Sequence, residues 1–358
     1  MTEVAGWTVP EFAAVRDEFA AFVAGEPAGA GSQLAVYWHG VPVVDLSTGD
    51  PGALTGVFSV TKGAAFLVAA ILVQEGRLDL DAPVRSLPFP LSVRELLGHR
   101  SGLIGVDGGF GIEEAADDRV IAARLAGQKP FWEPGTACGY HALTIGALLD
   151  AEVRAVTGRS VQEWYATRIR EPYALDLWLG LPEELEPRFR PLLPSAEPAP
   201  DFDPASLVAV ALNTARFDLV AFGNTRRARA LGQSSVGGVG NARGVARMYS
   251  AAISAVGGRR PLLRPETITE FARSYSLGAD LVTWQADHFA LGFEDLSATR
   301  SYCGPRAIGH GGAAGAAGWA DPDTGLAYGY VRRRFGRPDA DLDRLAAAVV
   351  AAARPGPG

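Results

Sequence analysis

The sequence predicts an α/β (α+β) fold: one antiparallel five-stranded sheet drawn from both ends of the chain, flanked by terminal helices, with an all-helical lobe inserted between. Three observations predict it. Strand-like runs fall near the N-terminus and again after Phe289, while helical spacing dominates the middle. Amphipathic segments stand at both ends, Pro10 to Val23 and Pro338 to Ala353. The chain has 358 residues, enough for two lobes. The expected sheet lobe is 1–77 with 230–358 and the expected helical lobe is 78–229. The active site is expected in the cleft between them, where such sites commonly lie.

Each element has a local reason. Phe12, Val15, Phe19 and Phe22 recur at helical spacing in the first segment. Gln33 to Trp38 and Val41 to Leu46 read as strands, and His39-Gly40 between them is a two-residue hairpin signal. Val57-Phe58-Ser59-Val60-Thr61-Lys62-Gly63 then opens an apolar helix that ends near Gly76. Ser92 and Glu95 form a capping box. Glu113 to Ala126, His141 to Val156 and Ser160 to Ile169 read as helices, and Pro182 to Pro204 as a long connection. Asp203 or Ser206 starts a short helix. Gly232 to Gly240 is a glycine-rich loop, after which Asn241 caps a helix through Ala255. Pro265 to Phe271 is helical. Composition turns strand-like from Phe289, giving strands at Ala307 to Gly311, Ala317 to Ala320 and Leu326 to Arg332.

Composition excludes several function classes. Net charge is −7, so no basic footprint invites nucleic acid. The longest apolar runs, Ala64 to Val73 and Leu345 to Ala353, are far short of a membrane span. Met1 to Pro10 has neither a basic nor an apolar signal-peptide region, so the expected location is cytoplasmic. Cys138 and Cys303 are too few for a disulfide framework. His39, His99, His141, His288 and His310 are scattered without metal-ligand spacing, so neither a metal nor a cofactor is expected.

The chemistry gathers in three places. Ser59-x-x-Lys62 puts both side chains on one helix face. A lysine can take a serine proton only if burial lowers its pKa, and the uncharged neighbours supply burial. The chain has two lysines, Lys62 and Lys129, which makes the match more specific. Read alone the motif is weak, and its rival is a buried helix start with Ser59 near the cap and Lys62 snorkelling. Tyr140 ends the loop Trp132 to Gly139 and can point its phenol into a cleft. Near a lysine cation that phenol would lose its proton more easily and shuttle protons. Gly309-His310-Gly311-Gly312-Ala313-Ala314-Gly315 permits close approach of a substrate to the backbone, and an N–H there could join that of Ser59 in an oxyanion hole. The stretch also matches a dinucleotide fingerprint, but a strand and turn follow it rather than a helix.

In this order and spacing, Ser59-x-x-Lys62, Pro134-Gly-x-x-x-x-Tyr140 and His310-Gly311-Gly312 resemble the three motifs of the serine β-lactamase-related hydrolases. Val93 to Leu103 and Gly240 to Tyr249 are similar to the esterase-like branch, which includes family VIII carboxylesterases and related acyltransferases. The resemblance implies a β-lactamase/transpeptidase-like fold. It implies Ser59 as acylated nucleophile, Lys62 as its base, Tyr140 as second base, and an oxyanion hole from the Ser59 and Ala313 N–H groups. Two departures matter. Ala142 stands where β-lactamases of this type have Asn, and His310 where they have a carboxylate-anchoring Lys. Both shift the expectation toward esters. His310, Gly311, Gly312 and Phe58 are the expected substrate-binding residues. His141 could line the pocket or pack. Trp319 and Trp284 could be wall or core, and Phe110, Phe131 and Trp132 could join Trp319 in an apolar acceptor wall.

The expected activity is hydrolysis of a carboxylic ester through an acyl-enzyme on Ser59, with a small-molecule ester or amide as partner. The rivals are transfer of the acyl group to an amine or alcohol, β-lactamase or peptidase activity, and a non-catalytic ligand-binding protein.

Overall fold

The computed structural model describes residues 3–26, 29–195, 202–276, 278–285, 289–335 and 340–353. His288 and Pro338 lie outside them. The strands are β1 (Ala5–Thr8), β2 (Gln33–Trp38), β3 (Val41–Ser47), β4 (Thr55–Gly56), β5 (Leu177–Trp178), β6 (Val239–Gly240), β7 (Ile308–Gly311), β8 (Ala317–Asp321) and β9 (Leu326–Val331). The main sheet is antiparallel, in the order β1-β3-β2-β9-β8-β7. It has six strands where five are read from sequence. The additional edge strand, β1, is short and mostly exposed, and so lacks the apolar alternation that marks a strand. β4, β6 and β5 form a second, three-stranded sheet.

The hairpin joining β2 and β3 turns at His39 (φ 50°) and Gly40 (φ 83°), both left-handed as a two-residue turn requires. Side-chain size then differs between the sheet's two faces. Leu34, Val36, Trp319, Leu326, Tyr328 and Tyr330 point one way and pack with Phe12, Val15 and Phe19 of the first helix and Leu345 and Val349 of the last. On the other face Ala35, Gly318, Ala320, Ala327 and Gly329 leave room for the Ala242–Ile253 helix. A Cβ on Gly329 would fall 2.5 Å from Ala242 O, and one on Gly318 would fall 2.5 Å from Val245 Cγ1. This second face belongs to the large core that contains the Val60–Gln74 helix. That core continues into Leu96, Leu97, Leu148, Leu149 and Ile169.

Several sequence readings hold closely. Ser92 and Glu95 make the reciprocal capping box, Ser206 caps Leu207–Leu212, and Asn241 caps Ala242–Ile253. Others need correction. The helix read from Glu113 begins only at Asp118, because the Asp117 carboxylate caps it there and Glu114 instead binds Gly111 N–H in a turn. The helix read from His141 begins at Ile145, since the preceding backbone is committed to the site described below. The strand-like composition from Phe289 yields no strand before Ile308. The chain turns, and Asp295 caps a short helix, Leu296–Thr299. The last helix is Ala340–Ala352. Among the described residues no helix is long and apolar enough to cross a membrane.

Candidate active site

Ser59 sits at the N-cap of the Val60–Gln74 helix but does not use its hydroxyl as a cap. The helix start is clamped from outside: Thr55 pairs with Gly240, Gly56 pairs with Val239, and Val57 N–H donates to Gly238 O. Gly238 N–H in turn donates to Thr61 Oγ1. Phe58, immediately before the serine, is held at φ 46°, a left-handed conformation that costs a non-glycine residue about 1–2 kcal/mol. Its ring is buried against Phe335, with centroids 5.4 Å apart and planes nearly perpendicular.

With its hydroxyl left uncapped, Ser59 Oγ meets two partners. Lys62 Nζ lies 2.9 Å away and Tyr140 Oη 2.8 Å away. Lys62 is fully buried. Nζ also donates to Ala142 O at 2.7 Å and Ser235 O at 3.1 Å. Burial drives its pKa well below the lysine range, and the nearby Glu294 charge opposes this more weakly. A neutral amine has two N–H donors and one lone pair. In that neutral form the two carbonyls would take the donors and the lone pair would face Ser59 Oγ, 2.9 Å away.

Tyr140 is set in place by its neighbours. Gly139 N–H donates to His99 O, and His141 N–H to His99 Nδ1. The phenol ring stacks on Phe289 at 5.3 Å. Its pKa is raised, chiefly by burial, although the bond to Ser59 works the other way. This corrects the expectation of an acidified phenol. Lys62 Nζ is 5.0 Å from the ring centroid, but burial disfavours the ammonium form that would stabilise a phenolate.

His310, Gly311, Gly312 and Ala313 approach from the far side of the cavity. Gly312 passes so close that a Cβ there would lie 2.5 Å from Val57 O. Among the described residues neither the Ser59 nor the Ala313 N–H donates to a backbone carbonyl. Together these groups border a cavity of about 670 Å³ lined by Phe58, Ser59, Tyr140, His310, Gly311, Gly312 and Ala313. Its apolar wall is completed by Leu143, Leu212, Leu219 and Val236.

The other candidate residues fall elsewhere. Trp319 does not line the cavity. It is buried on the opposite sheet face, stacked on Tyr328 at 5.2 Å, because its position in β8 points it toward the terminal helices. His141 does not line it either. Ser101 Oγ lies 2.7 Å from its Nε2 and Gly139 O 2.6 Å from its Nδ1, and burial brings its pKa down to about 4. Phe110 packs in the large core, and Phe131 and Trp132 pack against the small cluster of Ile104, Ala142, Ala211 and Val282, the Trp132 indole N–H bonded to Ala137 O. Trp284 is exposed.

Two contributors carry no sequence signal. Glu294 lines the cavity beside His310, yet in sequence it is one of two adjacent acids, Glu294-Asp295, in a stretch without periodic pattern. Ser235 supplies a carbonyl to Lys62 from the glycine-rich loop. That loop is fixed by Gln233, whose Oε1 accepts from Ser235 and Val236 N–H, and by Asp118, which accepts from Ser234.

Residues 16–352 match the profile of the family described as Beta-lactamase. The chain is 30% identical to an esterase/beta-lactamase, LipL, of Mycobacterium tuberculosis, over 94% of this chain and 84% of the relative. Among solved structures it is similar to EstA from Arthrobacter nitroguajacolicus Rue61a, with 38% identity, 97% of each chain covered and a TM-score of 0.91. It is also similar to a family VIII carboxylesterase, with 29% identity, 98% and 100% coverage and a TM-score of 0.86.

Proposed function

Since the chain belongs to the Beta-lactamase family, we propose that it is a serine hydrolase that cleaves carboxylic esters through an acyl-enzyme on Ser59. The observation that carries this reading is Ser59 Oγ within hydrogen-bond reach of both Lys62 Nζ and Tyr140 Oη at the edge of a largely apolar cavity. The names of the similar proteins, an esterase/beta-lactamase and a carboxylesterase, support it.

In this mechanism neutral Lys62 takes the Ser59 proton as Oγ attacks the ester carbonyl. The carbonyl π pair moves onto oxygen, and the oxyanion is received by the N–H groups of Ser59 and Ala313. Tyr140 begins protonated. It donates its proton to the alkoxide as the ester C–O bond breaks, and the proton that Lys62 took from Ser59 passes to the phenolate, leaving a neutral amine, a phenol and acylated Ser59. Water then attacks the acyl carbon as it gives a proton to the Lys62–Tyr140 pair; the bond from that carbon to Ser59 Oγ breaks, Oγ takes the proton, and the carboxylic acid leaves. Residues 1–77 with 230–358, and 78–229, act as the two walls of the cleft. The enzyme works in the cytoplasm on a small-molecule ester.

The apolar wall of Leu143, Leu212, Leu219 and Val236 favours a second reading, in which a bound alcohol or amine replaces water as acyl acceptor. Both readings share the first half-reaction. Ser59→Ala is expected to abolish turnover of p-nitrophenyl esters and labelling by a fluorophosphonate probe, with the far-UV circular dichroism spectrum unchanged. Labelling that survives the substitution would overturn the assignment.

A further inference from the structure

The cavity wall carries charge that none of the three motifs explains. Among the described residues, the acids and the guanidinium that line it are Glu294, Arg300 and Asp343. Glu294 Oε1 accepts from Gly311 N–H at 2.8 Å and lies 3.2 Å from His310 Nδ1. Arg300 Nη2 is 3.7 Å from Glu294 Oε2, and its Nε is 4.0 Å from Asp343 Oδ1. One guanidinium is therefore bracketed by two carboxylates. Glu294 is nearly buried, whereas Asp343 is more than half exposed, so Glu294 is the less screened of the two acids.

We infer that Glu294 is a specificity-determining residue that admits uncharged and cationic esters to Ser59 and turns away acyl groups bearing a carboxylate. The inference rests on the esterase reading and names its substrate class. Its physical basis is like-charge repulsion from a carboxylate that is itself nearly buried and so weakly screened. Arg300 does not cancel it, because an incoming carboxylate would have to share that guanidinium with two acids already beside it. The field of Glu294 reaches the reacting groups, since it raises the pKa of both Lys62 and Tyr140. A substrate seated on Ser59 lies in the same field. Glu294 also fixes the strand that carries Gly311, so the charge is held in place.

The test compares p-nitrophenyl esters of butyric acid, succinic acid and 4-(trimethylammonio)butyric acid, which share a leaving group and a four-carbon acyl chain and differ in the charge of the group that ends it. Wild-type kcat/KM is expected to be lowest for the succinate ester, by about tenfold or more against the butyrate, the scale of one repelled charge. Glu294→Gln retains an oxygen that can accept from Gly311. It should raise the succinate-to-butyrate ratio about tenfold and lower that of the cationic ester. Arg300→Met should move both ratios the opposite way. A purely structural role would depress all three esters alike. A wild-type enzyme that prefers the succinate, or ratios unchanged in either variant, overturns the inference while leaving the esterase reading intact. If Glu294→Gln fails to fold, the wild-type ranking and Arg300→Met still decide. Failure of all three esters to acylate wild-type Ser59 defeats the esterase reading itself, and this inference with it.

Discussion

Replacing Lys62 by Met tests the central electrostatic claim, that the base in this site is a neutral amine. The substitution keeps an unbranched apolar stem and deletes the nitrogen. Burial holds the Lys62 pKa far below the lysine range in the fold, whereas an unfolded chain would titrate this group near ~10.4. Between those values the unfolded state binds one proton more than the folded state. Stability therefore rises with pH, by about 1.4 kcal/mol per unit, until the unfolded pKa is reached. Between pH 7 and pH 9 the wild type should gain stability that Lys62→Met does not, by about 3 kcal/mol when the amine is neutral throughout that range. At pH 7 two contributions oppose each other. The variant is spared the deprotonation of a buried lysine. Removing the amine strands the carbonyls of Ala142 and Ser235 at about 1–3 kcal/mol each. The variant should thus be near wild-type stability at pH 7 and fall behind at pH 9, with ester turnover reduced on the order of 10²-fold or more, the scale of a lost general base. Urea unfolding followed by circular dichroism at pH 7, 8 and 9 measures the difference between the two proteins, in which other titrating groups cancel. A difference that stays flat across this range would mean that Lys62 is an ammonium in the fold, and the neutral-base mechanism would be wrong.

Short-chain esters should exceed nitrocefin in kcat/KM by more than roughly 10³, the scale of one or two missing polar anchors, here Ala142 and His310; comparable rates would show that these positions do not govern recognition. Raising an alcohol or amine acceptor against an activated ester separates hydrolysis from transfer. A product ratio that follows simple solution competition is expected, and saturation at millimolar acceptor would instead reveal an acceptor site. Gly63→Ala would set a Cβ 2.0 Å from Tyr249 Oη in the tightest part of the core. Its expected cost is about 1–3 kcal/mol in a denaturant titration, and an unchanged midpoint would show that Tyr249 has room to move.

What the sequence determined by itself were the features set by near neighbours in the chain. The cap residues Ser92, Ser206 and Asn241, the His39-Gly40 turn and the period-two strands all depend on groups within a few residues, so their signals survive without tertiary context. Ser59 and Lys62 belong to the same class, since one helical turn fixes their approach. Tyr140 and the His310 strand were legible only as motifs. That they meet Ser59 follows from contacts across the fold, such as the 2.8 Å approach of Tyr140 Oη. Tertiary structure alone decided the rest. It sent Trp319 to the opposite sheet face and His141 into a sealed packing site, because burial depends on which neighbours fold over a residue and not on its nearness to a motif. It raised the pKa of the Tyr140 phenol, chiefly by burial, beside a lysine whose own charge burial disfavours. It also brought in Glu294 and the Ser235 carbonyl, neither of which the sequence ties to the nucleophile, although Ser235 lies in the glycine-rich loop. A carboxylate or a backbone oxygen acquires a role only from what stands opposite it.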